Sequence, residues 1–226
     1  MRVMPSWLLI AGITLFSAAA QAGVALGATR VIFPADQKQV PLAVISNKDN
    51  GTWLIQSWVE NSAGKKDPRF IVTPPLFAMA GRKENTLRIV NATDNRLPQD
   101  RESLFWLNVK AIPAMDKGKL NSNTLQLAII SRIKLLYRPE KLTPAPEQAA
   151  QKLAFRRRGS RLMLINPTPY YLTVTELKAG SRALEHALVP PLGETSVSLP
   201  ADAGNTITWQ TINDYGALTP PLHHSL

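Results

Sequence analysis

One segment constrains the fold of this chain more than any other. Residues 125–137 read LQLAIISRIKLLY, and Leu125, Leu127, Ile129, Ile133, Leu135 and Tyr137 recur at alternate positions with only Ser131 interrupting them. Side chains two residues apart share one face of a β-strand, so the segment is a strand with a nearly continuous apolar stripe. Its other face carries Gln126, Ala128, Ile130, Arg132, Lys134 and Leu136. The run is much longer than the common strand length of about five or six residues. It is either a central core strand, or a strand that packs at one end and presents side chains to a partner at the other. A period of two signals burial without naming what does the burying.

The rest of the chain repeats this pattern in shorter pieces. Alternating or apolar runs at 40–46, 52–60, 70–73, 85–91 and 104–111 are separated by turn residues such as Asn61–Lys66 and Pro74-Pro75. Gly23–Phe33 opens with spaced apolar residues and is broken at Pro34. Pro139, Pro144 and Pro146 then follow the long strand closely enough to stop any sheet. Beyond them come strand candidates at 152–155, 161–165, 171–178, 195–199 and 206–212, and at most a helical turn near 147–153. The expected architecture is all-β, with sandwiches at 23–140 and 145–226 joined by a linker at 141–144.

The first 22 residues have the form of a signal peptide. Arg2 supplies a positive start, Trp7–Phe16 an apolar run, and Ala20-Gln21-Ala22 a cleavage site. The apolar run falls short of the about 20 residues that span a bilayer. Export is therefore expected, without stable membrane insertion. The chain has no cysteine, so an exported fold must rest on packing rather than disulfides.

The same absence excludes thiolate catalysis and cysteine-ligated zinc. His186, His223 and His224 form no metal-binding spacing, and the last two belong to an expected frayed tail. There is no GxSxG elbow, phosphate loop or HExxH motif, so neither a cofactor nor ATP is expected. The formal net charge is +10. That favours acidic partners or surfaces, but the exported setting argues against nucleic acid. Arg156-Arg157-Arg158 reads as a solvated turn. A non-enzymatic binding protein is the reading that remains.

Several ordered motifs carry a family resemblance across the whole chain beyond residue 22. They are GVALGATRVIF at 23–33, NTLRI at 85–89, LPQDRESLFWLNVKAIP at 97–113, IKLLYRP at 133–139, NPTPYYLTVTEL at 166–177 and INDYGA at 212–217. With these, the chain resembles the periplasmic chaperones of the chaperone–usher pathway. The resemblance implies two immunoglobulin-like β-sandwich domains at an angle, with an interdomain cleft. It implies a periplasmic protein that binds pilus or fimbrial subunits lacking a strand and delivers them to an outer-membrane usher. A structural pilus or adhesin component is the alternative. The short segment after Pro113 and the missing cysteines fit the short-loop subclass.

The resemblance also implies roles for particular residues. Leu125, Leu127 and Ile129 belong to a strand donated to the subunit, a case of β-strand addition. Arg30 and Lys134 hold the subunit's C-terminal carboxylate. Glu102, Arg138 and Asp214 form an interdomain salt-bridge network. One point resists simple strand geometry. Lys134 has the opposite parity to Leu125, Leu127 and Ile129. A bulge or strong twist before Lys134 reconciles the two, as does approach of the subunit's end from the other side. Ala78–Arg82 and the region QTINDYGA depart from the usual family pattern, which leaves subunit preference undetermined.

Overall fold

The computed structural model describes residues 23–46, 50–94, 96–115 and 125–226. The leader at 1–22, and most of the short segment between Pro113 and Leu125, lie outside the described residues.

The first sandwich has two sheets. One is ordered β1 (Val24–Leu26), β3 (Gln39–Ser46), β7 (Glu84–Asn91) and β5 (Phe70–Thr73). The other is ordered β2 (Arg30–Pro34), β9 (Ile129–Arg138), β8 (Ser103–Pro113), β4 (Trp53–Glu60) and β6 (Leu76–Met79). The opening segment is thus not one strand. It breaks at Gly27–Thr29 and changes sheets, with the Gly27 amide donating to the Ala43 carbonyl at 2.8 Å. Pro34 does not break the second piece but ends it, where its missing N–H costs no ladder bond. Strand β6 directly follows Pro74-Pro75, because Leu76–Met79 pairs with the edge of β4.

Alternation in each strand fills the space between the sheets. Phe33, Phe70, Phe105 and Tyr137 meet there, with Phe33–Phe70 ring centroids 5.3 Å apart and Phe70–Phe105 4.8 Å apart. Ile55, Leu87, Ile89, Leu107 and Leu135 close around them with no exposed surface. Each such side chain contributes about 1.5–3 kcal/mol by leaving water.

A short helix, α1 (Pro146–Ala149), and a 3-10 turn at Ala150–Lys152 lead into the second sandwich. One sheet is β10 (Ala154–Arg158), β11 (Arg161–Asn166) and β15 (Gly193–Ser198). The other runs β13 (Arg182–Ala183), β12 (Leu172–Ala179), β16 (Thr206–Thr211) and β17 (Leu222–Ser225), with β14 (Ala187–Val189) also on β12. Its core, around Leu162, Leu164, Val174, Val189, Ile207 and Trp209, is separate from the first.

Two expectations need correction here. The arginines at 156–158 lie in β10 rather than in a turn, although their side chains are exposed as a solvated run would be. The terminal histidines are not frayed: His223 and His224 pair with Thr208 and Ile207 across β16 and β17. The backbone of the tail completes a sheet edge, which its polar side chains conceal.

The long strand is also shifted. The ladder begins at Ile129, paired with Ala111, and runs to Arg138, while 125–128 lie outside it. Strand β8 ends at Pro113, so there is little partner left to pair against. Between Ala111↔Ile129 and Ser103↔Tyr137 the register is unbroken, so no bulge reorients Lys134. The all-β expectation of two sandwiches holds.

Candidate functional site

The site grows from the unequal surroundings of β9. Its residues 134–137 are flanked on both sides, by β8 and by β2, whose residues 30–34 run parallel to 134–138. Strand β2 starts only at Arg30, which pairs with Lys134. Residues 129–133 therefore have β8 on one side and, among the described residues, no strand on the other. Unpaired backbone N–H and C=O groups on such an edge are a template for another strand.

The apolar stripe changes character along the same line. Leu135 and Tyr137 are fully buried in the first core, and Ile133 packs against it. Ile129 is 46% exposed, Leu127 67% and Leu125 82%. The stripe thus runs off the end of its own core. Of the two readings of its periodicity, the core reading fits one end only.

Lys134 lies on the face opposite Leu135, the face that also carries Leu136. It belongs to a cross-strand row, Arg30↔Lys134↔Trp106↔Glu60. The Lys134 ammonium lies 5.8 Å from the Trp106 ring centroid, and the Arg132 guanidinium lies 4.4 Å from it. Glu60 neutralises Arg132 at 3.4 Å and accepts from the Trp58 indole at 2.7 Å. No described carboxylate lies within ion-pair distance of Lys134 or Arg30. Burial and the neighbouring Arg30 charge push the Lys134 ammonium below its usual lysine range.

Arg30 is buried and spans the two sandwiches. Its Nη1 donates to the Ile212 carbonyl at 2.9 Å, just beyond β16. Its Nε is buried without a partner. Burial lowers its pKa, with Asp214 and Glu102 acting in opposition. Two adjacent cations, one with an unused donor, are chemically suited to an anion, and a carboxylate fits an arginine–lysine pair.

Glu102, Arg138 and Asp214 come together as one cluster. Arg138 Nε donates to Glu102 Oε1 at 2.7 Å, while Nη1 and Nη2 donate to the two oxygens of Asp214 at 2.6 and 2.8 Å. Glu102 also accepts from the Tyr171 amide at 2.7 Å, and its own amide donates to Pro169. The Arg138 guanidinium lies over Tyr170, 5.2 Å from the ring centroid. Burial opposes the charge on Arg138, but Asp214 and Glu102 overcome it and hold the guanidinium above its ordinary pKa. The cluster ties β8 and β9 of one sandwich to the β12 and β16 ends of the other.

Sequence reasoning did not single out Trp106, Ile212 or Tyr171. A signal for Trp106 exists in LFWLNVK, because its parity places it opposite Phe105 and Leu107, on the outer face. Ile212 and Tyr171 act here through backbone groups, which side-chain motifs do not report.

Comparison with known proteins covers both sandwiches. Residues 23–143 match the family described as pili and flagellar-assembly chaperone, PapD N-terminal domain, and residues 148–222 match the pili assembly chaperone PapD, C-terminal domain. Chaperone protein FimC of Escherichia coli K12 is 71% identical over 219 residues, covering 95% of this chain and 91% of the relative. The crystal structure of the periplasmic chaperone SfaE is 60% identical, with a TM-score of 0.81, covering 90% of this chain and 100% of that one. The Salmonella enterica SafB chaperone, solved in complex with the SafA pilin, is 33% identical with a TM-score of 0.83, covering 92% and 99%.

Proposed function

Because the chain belongs to the PapD family of pilus-assembly chaperones, we propose that its open strand edge and its unpaired cations act together to hold an incomplete pilus subunit. The protein is a periplasmic chaperone with two immunoglobulin-like domains at an angle, and it is not an enzyme. It binds and stabilises pilus subunits by donor-strand complementation and delivers them to an outer-membrane usher.

The observation that carries the residue-level reading is the one-sided pairing of Ile129–Ile133, with exposed Leu125 and Leu127 just before it. A subunit lacking a strand exposes a hydrophobic groove and unpaired backbone. The donor strand offers backbone groups along its edge and Leu125, Leu127 and Ile129 along one face. Each well-buried side chain contributes about 1.5–3 kcal/mol in transfer terms. Net affinity is smaller, because association and ordering oppose it.

Arg30 and Lys134 take the subunit's terminal carboxylate in this reading. The anchor lies at the high-numbered end of the open edge. A subunit strand that ends there and lies along 125–133 therefore runs parallel to β9, in line with β2. Lys134 need not share the donor face, because the carboxylate approaches from the interdomain side. This resolves the parity conflict without a bulge.

Glu102, Arg138 and Asp214 set the angle between domains in the same reading. The proposed division is 23–140, a linker at 141–144 and 145–226. The separate cores support it, as does the Tyr170 hydroxyl, which donates to Pro144 at 2.8 Å and so straps the linker to the second domain.

The test is co-expression with a fimbrial subunit and purification from the periplasm. A one-to-one complex is expected from the native chaperone. Reversing charge at Arg30 or Lys134 is expected to abolish it while the free chaperone still folds. Unchanged affinity would remove these residues from the anchor.

A further inference from the structure

Tyr215 is 95% exposed, yet it sits at the tip of a turn whose neighbours are all held. The Asn213 side chain accepts from the Tyr215 amide at 3.1 Å and from the Ala217 amide at 2.9 Å. The Asn213 amide donates to Ala217, and the Gly216 amide donates back to Asn213. Asp214 is gripped by both terminal nitrogens of Arg138. Ile212 accepts from Arg30. Gly216 has a φ of +82°, and a β-carbon there would lie 2.3 Å from Thr29 Oγ1. The turn of the second domain therefore abuts the residue next to Arg30, and Gly216 has neither the conformation nor the space for a side chain.

The result is a rigid backbone presenting one unpartnered aromatic ring. Tyr215 lines the interdomain cavity together with Arg30, Leu136, Ile212 and Asp214. An exposed tyrosine on a fixed turn at the rim of the cavity is already positioned for a ligand. It supplies a large amphipathic surface with few rotatable bonds, and the backbone ordering is already complete before binding.

We propose that Tyr215 is a subunit-binding residue of the second domain, contacting the residues just before the carboxylate held by Arg30 and Lys134. This rests on the anchor reading given above. The ligand chemistry is the C-terminal segment of a pilus subunit, with an apolar or amide-bearing side chain laid against the ring. Tyr215 thereby adds a side-chain preference to an anchor that otherwise reads only charge.

The fold makes the test selective. Tyr137 and Tyr170 are buried and Tyr171 is partly covered, so Tyr215 is the most accessible of the four tyrosines. Nitration by tetranitromethane, read by mass spectrometry, is expected to modify Tyr215 first in the free chaperone and to spare it in the purified chaperone–subunit complex. Tyr215→Ala is expected to raise the dissociation rate of the subunit about tenfold, with Tyr215→Phe near the native rate. The thermal transition of the free chaperone is expected to stay in place in both variants.

Equal nitration in the free and bound states, or a native dissociation rate in Tyr215→Ala, would overturn the proposal. Arg30→Ala and Lys134→Ala, measured alongside, separate the two levels. If they lose the subunit while Tyr215→Ala does not, the anchor stands and the tyrosine contact falls. If none of the three changes binding, the anchor reading itself fails.

Discussion

From Lys134 to Tyr137, β9 has β2 on one side and β8 on the other; from Ile129 to Ile133, β8 is its only strand partner among the described residues. The same alternation of apolar residues runs through both halves. In one half it is satisfied inside the molecule, by Phe33, Phe105 and Leu107. In the other it reaches past the last residue of the core and stays in water. What separates the paired half from the open half is not the strand's own sequence. It is where β2 begins. A three-residue interruption between β1 and β2, at Gly27–Thr29, decides which part of β9 is complete.

Substitutions along β9 test this contrast, beginning with the largest effect. Arg138→Ala leaves Glu102 buried with only the Tyr171 amide as partner. Its expected cost is about 3–5 kcal/mol, read as a shift in urea unfolding, because a buried charge has lost its counter-ion. Leu135→Ala opens a cavity between the sheets and is expected to cost about 2–5 kcal/mol in the same measurement. If either is neutral, the completed half is less tightly packed than its burial indicates.

Leu127→Asp probes the open half and should show the reverse pattern. Stability of the free chaperone is expected to stay within about 0.5 kcal/mol, since the residue is exposed. Subunit retention is expected to fall at least about a hundredfold, or roughly 2.7 kcal/mol. A large loss of stability with normal retention would erase the distinction between the halves.

Lys134→Met tests the junction and has the smallest effect on the fold. Because Lys134 is held below its usual pKa, the folded state disfavours its charged form. The penalty is fully present below the folded-state value. It disappears as pH rises through that value toward the unfolded one, about 10.4. The variant is thus expected to melt higher than the native protein near neutral pH, with the gap closing in the alkaline range. It is also expected to bind subunits more weakly. A lower melting temperature would mean that the ammonium has a stabilising partner.

The period-two stripes made the two-sandwich fold legible, and the prolines at 139, 144 and 146 showed where the first sheet stops. The apolar residues of β9 were equally plain, but the position at which its ladder opens was not. That depends on β2, a distant segment whose own run hides a change of sheet. The tail strand was missed because its pairing uses backbone, while its histidines read as polar ends. For Lys134, parity raised the question of a bulge, and the unbroken register between β8 and β9 shows none there. Glu102, Arg138 and Asp214 lie far apart in sequence, and spacing alone carries no sign of their convergence; the family motifs did.

The start of β2 at Arg30 has one more consequence. It makes the sheet a ruler with a fixed stop, read in steps of two. If Arg30 and Lys134 hold the guest's carboxylate as proposed, a guest strand is measured from its own last residue. Lengthen it by one residue and every side chain along the edge turns to the wrong face. Lengthen it by two and the faces are restored, with each side chain offered to the neighbouring position. The device therefore checks parity before it checks identity. On the proposed anchor, a guest clipped by one residue is refused on count alone.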